Sequence, residues 1–169
     1  VVTAGETIIM KSARVDIPVQ EIQFKPTVTS PDVRITVSLS SLPAGTAAPV
    51  SASTGSVYKY IKIESNKPQV IGSAKIKFMV PNSWITGNNV EPAAVVLKRF
   101  SADWEDLPTS PVGSDGANYF YESETSGFSL FAIAGKRKTA LPEVLQFVSM
   151  PVLIETNRGR QYSETIVIY

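Results

Sequence analysis

A group of acidic residues in the second half of the sequence is the first candidate for chemistry. Paired carboxylates can act as general acid and general base in hydrolysis. The group comprises Asp103, Glu105, Asp106, Glu122 and Glu124. These acids fall at predicted turns and strand ends, where solvated acids are common, and their spacing selects no pair. The pattern therefore favours solvated acids over a hydrolase site.

The absence of histidine and cysteine narrows the chemistry further. It excludes histidine-based triads, cysteine nucleophiles, the usual zinc sites and disulfides. The segment Ser114-Asp115-Gly116 offers oxygen ligands but lacks the run of acids that a calcium loop needs. We therefore expect a protein that is not an enzyme, with no catalytic residue, no metal site and no cofactor.

Basic residues are weak candidates for ligand binding. Lys75, Lys77 and the cluster Lys136-Arg137-Lys138 could bind an anion, but such residues more often solvate a sheet face or a linker. Lys and Arg number 16 and Asp and Glu number 15, so the formal net charge is +1. This balance argues against a broad basic surface for nucleic acid.

Aromatic residues could instead bind a glycan by stacking on its sugar rings. The candidates are Tyr58, Tyr60, Tyr119, Tyr121 and Trp104. Alternating tyrosines on strands also pack against cross-strand neighbours, which is the more common arrangement. The sequence leaves both interpretations open.

The composition predicts that these residues lie on β-strands. Among 169 residues, 19 valines and 14 isoleucines outnumber 8 leucines, and β-branched side chains pack well on pleated sheets. Every odd-numbered residue from Val33 to Leu39 and every even-numbered residue from Ala74 to Val80 is apolar. We expect these residues to point inward. Ten glycines and 12 prolines separate many short strands of this kind, so we predict an all-β antiparallel sandwich of immunoglobulin-like type.

Three segments interrupt the strand pattern. Pro81 to Asn89 predicts a short helical turn near Trp84, whereas Ser40 to Ser56 and Pro108 to Ala117 predict a loop and a turn region. No apolar stretch reaches the ~18 residues of a transmembrane helix. The chain starts with Val1 and shows neither a leader nor an initiator methionine, which is typical of a mature exported protein.

Five motifs in the middle of the chain occur in the order that is typical of one known family. They are Val57-Tyr58-Lys59-Tyr60, Phe78-x-Val80-Pro81-x-Ser83-Trp84-Ile85, Leu97-x-Arg99, Trp104-x-x-Leu107-Pro108-Thr109 and Ser126-Gly127-Phe128-Ser129-x-Phe131-Ala132-Ile133. From about Ile17 to Ala134 the chain resembles the PGF-pre-PGF domain of archaeal exported and S-layer-related surface proteins. The resemblance implies an extracellular β-domain of the archaeal cell surface, without catalytic activity or cofactor.

The C-terminal part departs from that family. Members usually continue into a Gly/Thr-rich spacer and a sorting segment. In this chain, the sequence from Lys136 onward predicts a linker followed by two strands, Pro151 to Thr156 and Ser163 to Tyr169. Asn157 to Arg160 predicts the turn that joins them. We therefore divide the chain into an N-terminal strand segment (1–14), a sandwich domain (15–135) and a linker with a C-terminal hairpin (136–169).

The two ends of the chain are predicted to be assembly strands. A two-stranded hairpin is marginal in water, and an exposed apolar strand is an aggregation hazard, so these segments must pair either within the chain or with a neighbour by strand addition. The residues concerned are Val1, Val2, Ile8, Ile9, Ile166, Val167, Ile168 and Tyr169.

Two functions are consistent with these features. The first is a structural subunit of an archaeal extracellular filament or surface layer, a homopolymer that assembles by donor-strand exchange. The second is a monomeric cell-surface recognition or adhesion module that binds a glycan or another surface protein.

Overall fold

The computed structural model describes residues 1–139, 148–156 and 159–167. The chain divides into two units, Val1–Lys138 and Thr139–Tyr169. The strands of the first unit are, in chain order, β1 (Ile8–Lys11), β2 (Val19–Pro26), β3 (Ile35–Ser40), β4 (Gly55–Ser65), β5 (Ile71–Pro81), β6 (Val90–Phe100), β7 (Trp104–Asp106), β8 (Thr109–Ser114), β9 (Asn118–Thr125) and β10 (Leu130–Arg137). A 3-10 turn (Pro68–Val70) precedes β5, and the helix α1 (Asn82–Gly87) follows it.

These ten strands form two antiparallel sheets. Sheet 1 has the order β1-β2-β5-β9-β8, and sheet 2 has the order β3-β4-β10-β6-β7. The chain passes from β7 to β8, and so from one sheet to the other, through Leu107 and Pro108. Leu107 N donates a hydrogen bond to Leu97 O on β6 (2.9 Å), which continues the β6–β7 ladder of sheet 2 by one residue. The opposite side is bordered by the other two edge strands, β1 and β3.

The inward faces of the two sheets share one hydrophobic core, which confirms the predicted antiparallel β-sandwich. On β5, every even-numbered residue from Ala74 to Val80 is at most 3% exposed, as its alternation predicts. The largest fully buried side chains are Tyr121, Phe78, Phe131, Ile61, Ile63, Ile76, Leu97, Ile133, Val19, Val70, Val80 and Val90.

The helical turn predicted near Trp84 is also confirmed. α1 begins after Pro81, which takes an extended conformation, and Asn88 Nδ2 donates to Trp84 O (2.9 Å) at its C-terminal end. Ile85 is buried, and the Trp84 ring lies 5.3 Å from the Tyr58 ring, measured between centroids. The helix thus packs its apolar residues against the core.

The turn region predicted between Pro108 and Ala117 is wrong, because Thr109–Ser114 forms strand β8. β8 lies at the edge of sheet 1, where a proline can be accommodated without losing a ladder hydrogen bond. The pairing with β9 also shifts its register between Pro111 and Gly113. An interrupted edge strand therefore produces the same proline and glycine pattern as a turn.

The second unit contains a β-hairpin. β11 (Val148–Thr156) and β12 (Gly159–Val167) form a two-stranded antiparallel sheet whose register runs from Val148 opposite Val167 to Thr156 opposite Gly159. The two positions between the strands, 157–158, belong to the predicted turn and lie outside the described residues.

Candidate functional site

The backbone of β3 has one free edge, since β3 is the first strand of sheet 2. Asn66 N donates to Arg34 O (3.2 Å), whereas Ile63 N on β4 turns away from β3 and donates to Ser129 O (3.0 Å). Antiparallel ladders alternate, so the even-numbered residues of β3 bond to β4 and the odd-numbered residues turn their N–H and C=O groups outward. The residues with free backbone groups are Ile35, Val37 and Leu39.

The core is incompletely covered along this edge. Ile35 and Val37 are half-buried and Leu39 is 42% exposed, whereas Ile61 and Ile63, the β4 residues opposite Leu39 and Val37, are each 1% exposed. Leu39, which was predicted to point inward, is exposed, because no further strand lies beside β3 in the described sandwich. The edge therefore combines free hydrogen-bonding groups with a partly exposed apolar rim.

The other three edges of the described sandwich are short or interrupted. β7 has three residues, two of which are acidic. β8 contains Pro111 and the register shift beside it. β1 has four residues and ends at the exposed Lys11. Short edges, charges, prolines and bulges all hinder edge-to-edge pairing. β3, with six regular and uncharged residues, has none of these features.

The structure places the predicted N-terminal assembly residues within the chain's own fold. Val1 is 92% exposed, and Val2 forms an isolated antiparallel bridge with Ser30. Ile8 and Ile9 lie on β1, which pairs with β2; Ile8 packs against the core and Ile9 is 54% exposed. β1 is thus an edge strand of sheet 1.

The predicted C-terminal assembly residues lie on the hairpin or beyond it. Ile166 and Val167 belong to β12, opposite Ser149 and Val148. Ile168 and Tyr169 lie outside the described residues.

Three of the five predicted stacking aromatics belong to the core or its border. Tyr121 is 0% exposed, and its hydroxyl donates to Pro92 O (2.8 Å). Tyr119 and Tyr58 are partly buried and pack against the core, Tyr58 together with Trp84. Tyr121 therefore has no face available for a glycan, and Tyr58 and Tyr119 are held in packing contacts with the core.

The other two, Tyr60 and Trp104, come together on the outer face of sheet 2, with ring centroids 6.1 Å apart. Phe100, which sequence reasoning missed, joins them at 5.2 Å from Trp104; its position directly across from Trp104 in the ladder explains the contact. Trp104 Nε1 donates to Ala47 O (2.8 Å) in the β3–β4 loop. The cluster therefore anchors a loop, and its indole N–H is already used.

Three of the five acids considered for hydrolysis, Glu105, Asp106 and Glu124, line one open depression of the surface, and each of the five has a local hydrogen-bond or ion-pair partner. The carboxylate of Asp103 accepts a hydrogen bond from Trp104 N (2.7 Å). The other four form ion pairs, which are Glu105 with Arg99 (2.8 Å), Asp106 with Lys98, Glu122 with Lys75 (2.8 Å) and Glu124 with Lys75 (3.5 Å).

Lys75 and Lys77, which were considered for anion binding, are part of the same charge pattern on the outer face of sheet 1. Lys75 lies between Glu122 and Glu124, and its hydrogen bond to Glu122 raises the pKa of the ammonium. Lys77 pairs with Glu21 (3.2 Å). Opposite charges on neighbouring strands thus compensate each other and leave no concentrated positive patch among these residues.

Asp115, which was considered as a calcium ligand and set aside, closes a turn. Asp115 Oδ1 accepts hydrogen bonds from Asn118 N (2.7 Å) and Ala117 N (3.0 Å). These bonds, that from Asn118 first, lower the pKa of the Asp115 carboxyl. In the part of the chain that the structure describes, no three acidic, histidine or cysteine side chains are placed to hold a metal ion.

Comparison with known proteins gives no relative from which to assign this geometry. No family model, no curated protein and no solved structure matches the chain. Within the described residues, no helix has the length and apolar character needed to cross a membrane. The function must therefore be inferred from the strands and their edges.

Proposed function

We propose that this chain is a non-catalytic structural subunit of an archaeal extracellular assembly, a filament or a surface layer, and that it polymerises by β-strand addition. The observation that carries the proposal is the β11–β12 hairpin. A two-stranded sheet is marginally stable in water and gains stability when it joins a larger sheet. The resemblance to PGF-pre-PGF domains supports the archaeal and extracellular part of the proposal.

The chain offers two segments that could be donated to a neighbour. The hairpin lies in a unit of its own, and β1 is a four-residue edge strand whose Ile9 is 54% exposed. Strand addition supplies main-chain hydrogen bonds together with side-chain contacts, so neither segment needs a specialised pocket. A contact in which a strand of one copy enters the edge of another is head-to-tail, and it propagates into a polymer unless the rotation closes a ring.

Two variants test which segment is donated. Deletion of residues 139–169 removes the hairpin. Ile9→Cys combined with Gln23→Cys joins β1 to β2, since these residues are opposite each other and the chain has no other cysteine. We expect wild-type protein to form fibres or layers in negative-stain microscopy, and at least one change to leave only monomers.

The disulfide variant contains its own control. If β1 is the donor, reduction of the disulfide restores assembly, because the same chain can then release β1. Assembly of both the deletion variant and the oxidised variant would contradict strand donation from either end, and a wild-type chain that stays monomeric would contradict the proposed function as a whole.

The outer aromatic cluster favours a second candidate, a monomeric recognition module that binds a glycan. Tyr60, Phe100 and Trp104 are partly exposed rings on one face. This module would show saturable sugar binding as a monomer, and Trp104→Ala would abolish that binding. The loop contact of Trp104 makes this candidate the weaker one, since the indole N–H cannot serve a ligand without releasing Ala47.

A further inference from the structure

We infer that the β3 edge of sheet 2 is the acceptor site for strand addition, and that its occupant is strand β12 of a second copy of this chain. This inference rests on the proposed function and names the two surfaces that would meet.

The free backbone N–H and C=O groups of β3 favour an extended strand as the occupant. The N–H and C=O groups of Ile35, Val37 and Leu39 point away from β4 at regular two-residue spacing. A β-strand presents complementary N–H and C=O groups at that spacing, whereas the backbone groups of a helix already bond to one another. The uncharged sequence from Ile35 to Ser40 places no electrostatic obstacle at this edge.

The exposed rim of the core strengthens the same conclusion. The side chains of Ile35 and Val37 pack against the core, and Leu39, opposite the buried Ile61, is 42% exposed. A strand added beside β3 would cover this rim while it satisfies the backbone. Both gains favour association, since apolar burial and hydrogen bonding act at the same residues.

The hairpin provides a suitable donor edge on β12. The register ends with Thr156 opposite Gly159, and in hairpins with two residues between such a pair the pair is typically hydrogen-bonded. Counting along the register from that pair, the backbone of Pro151 faces the free edge of β11, where a proline lacks the N–H that pairing requires. The free edge of β12 contains no proline, and its outward positions include Glu164 and Ile166.

The experiment blocks each surface separately in the full chain. Leu39→Lys places an ammonium group at the acceptor edge, on a side chain exposed enough for the fold to tolerate it. Glu164→Pro removes an outward N–H of β12 without touching its ladder to β11. Val112→Lys is the matched control. It also places a lysine at an exposed apolar residue of an edge strand (54% exposed), but that strand, β8, is interrupted and is not the proposed acceptor.

We expect Leu39→Lys and Glu164→Pro each to be monomeric in sedimentation velocity, with at least a tenfold loss of association, and Val112→Lys to assemble like wild type. Circular dichroism spectra that match wild type establish that the variants are folded. An equimolar mixture of the two blocked variants should form heterodimers and nothing larger. In that pair, the intact β12 of one variant meets the intact β3 of the other.

The outcomes separate this inference from the proposed function. If Leu39→Lys polymerises like wild type, β3 is not the acceptor, although strand addition at another edge would stand. If the mixture contains only monomers, the β12–β3 pairing is overturned. If wild type itself remains monomeric, the proposed function fails together with the inference.

Discussion

At the scale of single residues, Tyr121 connects the two sheets. Its ring stacks on Phe78 within sheet 1 (centroids 5.4 Å apart), and its hydroxyl donates to Pro92 O on β6 of sheet 2 (2.8 Å). Burial, with a smaller effect of nearby Tyr119, raises the pKa of the Tyr121 hydroxyl to about 12. The hydroxyl is therefore neutral and bonded throughout the ordinary pH range.

Replacement of this hydroxyl should cost stability without disturbing the packing. We expect Tyr121→Phe to lower the free energy of unfolding by about 1 kcal/mol, because Pro92 O loses its donor in a partly buried position. Urea denaturation measures the difference. Tyr119→Phe is the control, since Tyr119 is only partly buried, and it should change the midpoint little. Equal effects of the two substitutions would contradict the assigned role.

The raised pKa also predicts a loss of stability at high pH. In the unfolded chain the hydroxyl ionises near its ordinary value of about 10, while in the folded protein it stays protonated until about 12. The unfolded state therefore releases its proton first, and this group's contribution to stability falls as the pH rises from 10 to 12, by about 2 kcal/mol at most. Tyr121→Phe should show a flatter decline in that window, measured by urea denaturation at each pH.

At the scale of elements, β10 depends on close backbone approach. A Cβ atom at Gly135 would lie 2.4 Å from Val90 Cγ1, and one at Gly55 would lie 2.7 Å from Gly135 O. Gly135 is buried in the middle strand of sheet 2. A glycine here serves the packing of β10 against β6, although glycine inside a strand is otherwise unfavourable.

Gly135→Ala should therefore destabilise the sandwich by about 1–3 kcal/mol, the usual cost of overpacking a core. Gly87→Ala, at the end of α1, is the matched control because nothing lies within 4 Å of its added Cβ. That substitution should be neutral or stabilise slightly, by up to about 1 kcal/mol. Thermal unfolding of both variants measures the contrast, and a Gly135→Ala protein as stable as wild type would refute the close contact.

At the scale of the whole molecule, the sandwich has its own core, and its ten described strands pair with one another within Val1–Lys138. We expect residues 1–138 to fold alone, with a melting temperature within a few degrees of the full chain. A peptide of residues 139–169 should lack stable structure in isolation, because two strands are marginal without a further surface. Circular dichroism of the two fragments measures this, and an unfolded 1–138 fragment would contradict it.

The regularly alternating strands were predictable, and the interrupted edge strand β8 was not. On β5 the alternation of apolar and lysine residues is a local property that survives in the structure, because both faces of that strand keep their predicted environments. β8 was predicted as a turn region because it contains Pro111 and Gly113. Proline and glycine are typical of turns, but here they interrupt an edge strand. Phe100 was missed as a partner of Trp104 because their pairing depends on the register between β6 and β7.

By itself, the sequence determined the all-β class and the absence of histidine and cysteine chemistry, because both follow from composition. It also determined the inward face of regularly alternating strands such as β5, because period-two alternation is a local property of the chain. Only the tertiary structure decided that Leu39 stands on an open edge while Ile61 beside it is buried, and that the five acids considered for hydrolysis each have a local partner. An edge exists only in relation to the strands on either side of it. Strand order is set by pairing between distant segments, which no local pattern specifies.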